Sequence, residues 1–185
     1  MRYVVLVALA LFATMLTGGL SPQIPVLGAQ IDFLLVLMIC LQMREHTVTP
    51  VMVSAVAAVF LDAFYGPAIG YYSLPYAAVG LVVYFMFRKM RFSAFYIPAG
   101  VCAGAWLIKD VFTALITFLQ GNTFDFFYIF VHTTLPGVLV NGVLALAVYP
   151  LTAFLYRKAF MSPRTSITFK DEFPEMKVNN KGGRR

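Results

Sequence analysis

The chain has 185 residues, 61% of them hydrophobic and 12% charged, with a mean hydropathy of +0.81. Soluble domains carry about 25% charged and about 45–50% apolar residues, so composition excludes an ordinary water-soluble enzyme, a disordered protein and a nucleic-acid binder. The surplus apolar surface calls for lipid, and the length holds six spans of about 20 residues with little left for a soluble domain.

Six apolar segments follow one another between polar or Gly/Pro breaks, at about 3–20, 24–43, 48–65, 71–87, 94–119 and 126–156. The predicted fold is an all-α membrane protein, a bundle of six transmembrane helices over residues 1–158, followed by a basic tail over 159–185. The first segment reads as a retained helix and not a signal peptide. It runs for about 18 apolar residues where a signal core has about 7–15, and Thr17-Gly18-Gly19-Leu20 offers no small-x-small cleavage site. Arg2, Arg44, Arg88, Lys89, Arg91 and the tail fall on one side of such a bundle, while the connections 21–23, 66–70 and 120–125 carry no Lys or Arg. The positive-inside rule then places both termini in the cytoplasm. Gly66-Pro67-Ala68-Ile69-Gly70 reads as a tight outer turn between the third and fourth helices.

The net charge of +6 belongs mostly to the C-terminal end of the chain, where residues 157–185 hold eight of the fourteen basic residues and three acids. A segment this polar is expected to stay disordered or surface-bound, where each cation near an anionic lipid surface contributes about 1 kcal/mol. Cys40 and Cys102 lie inside apolar runs and read as small packing residues. Tyr65, Tyr71, Tyr72, Tyr76, Tyr84, Phe85 and Phe87 fall near predicted span ends, as an interfacial aromatic belt would.

Ionisable groups inside a span need partners, since each costs about 2.5–3.5 kcal/mol on insertion scales. Four stand out: Asp32 in the second segment, Asp62 in the third, and Lys109 and Asp110 in the fifth. Adjacent helical residues point about 100° apart, so Lys109 and Asp110 cannot neutralise each other and each requires a partner on another helix. At about 1.5 Å per residue Asp62 and Lys109 lie about 21 and 22 Å along their spans, and Asp32 about 12 Å below the opposite entry. All three reach one level in the outer half of the bundle, so Lys109 is expected to pair with Asp62 or Asp32. The plainer use of Asp62 is to accept hydrogen bonds from backbone donors at the Gly66 turn.

Small residues mark expected helix contacts. Ser54, Ala58 and Asp62 share a face of the third helix, and Gly137, Asn141 and Ala145 share one of the sixth. Gly100-x-x-x-Gly104 in the fifth reads as an internal packing face, with a homodimer seam as its other use. Asp110 lies within about 20° of the Ala99 row, on a side expected to be packed, and Pro136 is expected to kink the last helix. His46 and His132 stand apart, and no phosphate loop, zinc-protease motif or nucleophile elbow occurs. No catalytic, metal or cofactor site is expected.

From Ile31-Asp32-Phe33-Leu34-Leu35-Val36 through Arg44 to Leu61-Asp62-Ala63-Phe64-Tyr65-Gly66-Pro67-Ala68-Ile69-Gly70-Tyr71-Tyr72-Ser73-Leu74 the chain resembles the MreD family, small membrane subunits of the bacterial rod-shape machinery. That family has an Asp opening an aliphatic second span, a basic residue closing it, and an Asp-x-x-x-Gly-x-x-x-Gly turn after the third. Asp32, Arg44, Asp62, Gly66 and Gly70 match it, and Asn141 matches an Asn of the last helix. The chain departs at Ile31, where the family has Pro, and at Ser54, Ala55 and Ala58, where it has glycines. The resemblance covers about residues 1–158. It implies a non-catalytic scaffold that binds MreC, a single-span periplasmic protein. The same resemblance implies action with the MreB filament, a SEDS glycosyltransferase and a class B transpeptidase in lateral wall synthesis at the cytoplasmic (inner) membrane. A second reading is the substrate-binding S-component of an ECF vitamin transporter, similar in size and six-span architecture. Its usual Ala-x-x-x-Ala motif in the first helix is not matched by the spacing of Ala8, Ala10 and Ala13.

Overall fold

A computed structural model of the chain describes residues 2–20, 30–45, 47–89, 96–121 and 125–156, and these are all helical with short turns. Helix α1 (Arg2–Met15) continues as a π-helical turn, Leu16–Leu20; α2 covers Phe33–Gln42, α3 Thr49–Tyr65, α4 Ser73–Lys89 and α5 Ile97–Leu119. The last rod is built from α6 (Phe126–Ile129), a π-helical turn (Phe130–Thr134) and α7 (Leu135–Tyr156).

The centre of the bundle is α2. Nine of its ten residues, Leu34 to Gln42, are buried, and it touches α1, α3, α4, α5 and α7. At about 1.5 Å per residue it is about 15 Å long, half of a ~30 Å hydrocarbon core. The sequence predicts a continuous span over 24–43; residues 21–29 lie outside the described ones, and the helix starts only at Phe33. Asp32 sets that start. Its Oδ1 accepts the Leu35 N–H at 2.9 Å, the N-cap bond that satisfies an otherwise orphaned donor of the first turn.

The surrounding helices show one-sided burial at helical spacing. In α3 the buried face is Pro50, Val51, Ser54, Ala57, Ala58, Leu61 and Asp62; in α4 it includes Tyr76, Val79, Val83 and Phe87. Tyr76 and Phe87, expected in an aromatic belt, are instead 1% and 3% exposed core residues. A ring near the end of an apolar run gives the same pattern whether it meets lipid headgroups or a neighbouring helix. Gly80 lets α4 approach closely, since a Cβ there would stand 2.7 Å from Val51 Cγ1 and 3.2 Å from Met38 Sδ.

Outward faces are apolar, with Val4, Phe12, Met52, Val56, Phe85, Val111, Leu115, Leu139 and Val143 among the exposed residues. Two segments, Ile97–Leu119 and Phe130–Tyr156, are long and apolar enough to cross a membrane, and four shorter apolar helices accompany them. Pro136 lies just after the π-helical turn. A proline withholds its N–H from the carbonyl four residues earlier, here His132, and crowds it; the widened turn is where the rod accommodates this.

Packing of α5 on α7 separates two kinds of glycine. A Cβ on Gly137 would lie 2.4 Å from Trp106 Nε1, so the indole occupies the place of a side chain there. At Gly100 and Gly104 a Cβ would meet nothing within 4 Å. Among the described residues neither glycine therefore has a neighbour that a side chain would displace, and the α5 residues turned fully inward include Cys102, Ala105 and Trp106. Replacing Gly by Ala in an open helix position stabilises by about 0.5–1 kcal/mol, whereas overpacking costs about 1–3 kcal/mol. Gly100→Ala is expected to raise resistance to unfolding in detergent and Gly137→Ala to lower it, measured side by side by thermal denaturation.

Candidate functional site

Asp32 is 1% exposed and sits where five elements meet. Its backbone N–H donates to Asn141 Oδ1 at 2.8 Å, and Asn141 Nδ2 donates to Gln30 O at 3.1 Å and Gly137 O at 2.9 Å. Asn141 is fully buried, so this three-bond use of its amide ties the start of α2 to the middle of α7. From the π-helical turn after α1, Thr17 Oγ1 accepts the Leu34 N–H at 3.1 Å. The Tyr76 hydroxyl on α4 donates to Asp32 Oδ1, and Lys109 on α5 donates to, and forms an ion pair with, Asp32 Oδ2.

Of the two acids that depth alone offers to Lys109, Asp32 is the one that holds it. The Lys109 ammonium also lies 4.4 Å from the Trp106 ring centroid and 5.1 Å from that of Tyr76, close enough for attraction to the ring faces. Charge, hydrogen bonds and aromatic faces thus converge on the ammonium of Lys109, whose half-buried side chain is 11% exposed. Beside the pair is a cavity of about 160 Å³, lined by Thr17, Gly18, Gln30, Ile31, Asp32, Leu61, Tyr65, Tyr72, Tyr76, Trp106 and Lys109.

Asp62 does the plainer work. Its Oδ2 accepts from Gly70 N at 2.9 Å and Ser73 N at 3.1 Å, and its Oδ1 from Tyr72 N at 2.6 Å. The last residue of a buried face on α3 thereby caps the start of α4 across the turn. Gly70 has φ +99°, a left-handed conformation that costs an L side chain roughly 1–2 kcal/mol. Gly66, at φ −84°, is required for space: a Cβ would lie 2.8 Å from Asp62 backbone atoms.

Asp110 accepts a hydrogen bond from Thr134 Oγ1 in the π-helical turn, so it joins α5 to the last rod independently of Lys109. A second polar group, unmarked by the sequence reading, lies at the other end of α2. Glu45 is 3% exposed and accepts from the Tyr156 hydroxyl and from Thr47 Oγ1 at 3.3 Å. Gln42 Nε2 donates to the Glu45 and Thr47 carbonyls, each at 3.0 Å, and the Arg44 guanidinium stacks 4.5 Å over Tyr149. Gln42 at the end of an aliphatic run was the available signal for this group.

His132 stacks on Tyr128 with ring centroids 4.3 Å apart; His46 and the 159–185 tail lie outside the described residues. Cys40 and Cys102 are buried free thiols. Among the described residues no group of three or more His, Cys, Asp or Glu side chains is placed to hold a metal ion. Compared with known proteins, the chain matches no family model, no curated protein and no solved structure.

Proposed function

We propose that the chain is a non-catalytic membrane scaffold of the bacterial cell-elongation complex, an MreD-like subunit. In this reading six apolar segments cross the cytoplasmic membrane with both termini inside, the second of them containing the half-length helix α2. The bundle binds MreC and supports lateral peptidoglycan synthesis by the SEDS glycosyltransferase and class B transpeptidase, with MreB engaged indirectly. The basic tail rests against anionic lipid.

The observation that carries the reading is where the family-like residues sit. Asp32 and Asn141 link α2 to α4, α5 and α7, and Asp62 with Gly70 closes the turn from α3 to α4. These groups join elements of the bundle to one another. Polar groups turned inward and apolar side chains turned outward are the distribution a bilayer selects, since lipid satisfies no hydrogen bond. The small-residue face at Gly100 and Gly104 on α5, open among the described residues, offers a transmembrane helix the close approach that association in lipid relies on. The MreC helix docks on one such lipid-facing stripe, with contacts at the outer turns placing its periplasmic domain.

The test is co-expression with MreC from the same genome and purification in mild detergent. Retention of MreC through size exclusion is expected, and loss of it in a Gly100→Leu, Gly104→Leu variant that stays folded. An MreC that expresses well yet never co-purifies with the unaltered chain would overturn the reading.

A further inference from the structure

We propose that the cavity beside Lys109 binds a small flat molecule with an amide-like edge, a carbonyl oxygen next to an N–H. A scaffold lacking this site would hold the same partners, so the site stands apart from the scaffold reading. The cavity of about 160 Å³ is about ten times the roughly 10–15 Å³ that one water needs on this measure, room for a single ring with a short substituent.

Hydrogen-bonding capacity at the charged pair defines the chemistry of that substituent. An ammonium has three donors and each carboxylate oxygen accepts about two bonds. Asp32 Oδ1 is filled by the Leu35 N–H and the Tyr76 hydroxyl. Oδ2 accepts only from Lys109, and Lys109 gives only that one hydrogen bond, among the described residues. Two donors and one acceptor are thus left over on adjacent atoms of residues that both line the cavity. Asp32 is 1% exposed and Lys109 half-buried, so the cavity is where these groups find their remaining partners.

The pair's charges cancel, so the complementary edge is neutral. A carbonyl oxygen takes the ammonium hydrogens, and the neighbouring N–H goes to Asp32 Oδ2. A carboxylate in the same place would set its charge against that of Asp32. Tyr65, Tyr72 and Trp106 supply aromatic walls, which suit a flat ring. Exposed Gln30 and Tyr65 mark the side on which the cavity meets the surface.

Trp106 is the single tryptophan of the chain and lines the cavity, so its emission reports occupancy. The purified full-length chain in detergent is titrated with benzamide, and separately with benzoate, the same ring carrying a carboxylate. Benzamide is expected to give a saturating change with a dissociation constant of about a millimolar, as a ligand of so few atoms allows. Lys109→Met should weaken it by about tenfold or more. Leu61→Phe, which fills the cavity and leaves the ion pair intact, should do likewise, and it decides the matter if Lys109→Met does not fold. A change linear in benzamide, or a saturating one that persists in Leu61→Phe, would mean a cavity holding only water and would overturn the site. Benzoate binding as tightly as benzamide would overturn the neutral edge.

Discussion

Lys109→Met is expected to cost the folded bundle about 3–5 kcal/mol, the penalty for removing one partner of a buried ion pair and leaving the other charge behind. The stranded carboxylate of Asp32 would keep the Leu35 N–H and the Tyr76 hydroxyl, but no cation remains within the described cluster. Pairing it with Asp32→Asn restores much of the loss. Asn retains an oxygen for the Leu35 N–H and carries no charge, and uncharged replacements of buried pairs are often close to neutral. The double variant should therefore outlast Lys109→Met alone in unfolding titrations with a denaturing detergent, with a coupling of about 0.5–3 kcal/mol. Combining Lys109→Met with Asp62→Asn should give losses that add to within about 0.5 kcal/mol, since Asp62 serves a different set of donors. A rescue by Asp62→Asn and none by Asp32→Asn would reassign the pair.

The helices on the outside of the bundle were legible because their limits are chemical. Apolar runs stop at the Gly66–Gly70 turn and at the polar residues near 120–125, and α3, α4, α5 and the last rod lie within a few residues of the predicted segments. The central helix was not legible as a half-length element. A helix buried on every side has no polar face, so nothing in Phe33–Gln42 separates a central plug from part of a span. The same limit governs Lys109. Depth along a straight rod places Asp32 and Asp62 near one level, and only the rotation of α5 and the start of α2 at Asp32 select between them. Rotation also decides the glycines: Gly100 and Gly137 both open small-residue rows in the sequence, yet among the described residues one meets nothing within 4 Å of a Cβ and the other meets the Trp106 indole. Glu45 was hidden by its place next to Arg44, where a carboxylate at the end of a span reads as solvated. Its burial depends on Tyr156, more than a hundred residues away.

Asp62→Ala is the second large loss, about 2–4 kcal/mol, because it orphans three backbone donors at once. Hydrogen bonds to a charged acceptor contribute about 1.5–3 kcal/mol each, and water reaching this part-buried turn recovers some of that. Tyr72 and Ser73 stand at the start of α4, where N–H groups lack intrahelical acceptors and the helix dipole favours a negative charge. A carboxylate from the preceding helix answers both needs. Asp62→Asn does not restore the cap. The native arrangement uses Oδ2 for Gly70 and Ser73 and Oδ1 for Tyr72, so an amide has one oxygen for two sets of donors and turns its own NH₂ toward the other. Asn is expected to recover at most about half of the deficit. Hydrogen exchange locates the effect: amides of Gly70, Tyr72 and Ser73 lose protection in both variants, while that of Leu35, held by Asp32, does not change. Were Asp62 the partner of Lys109, protection at 70–73 would survive the Asn substitution, and charge reversal at both positions together would recover stability.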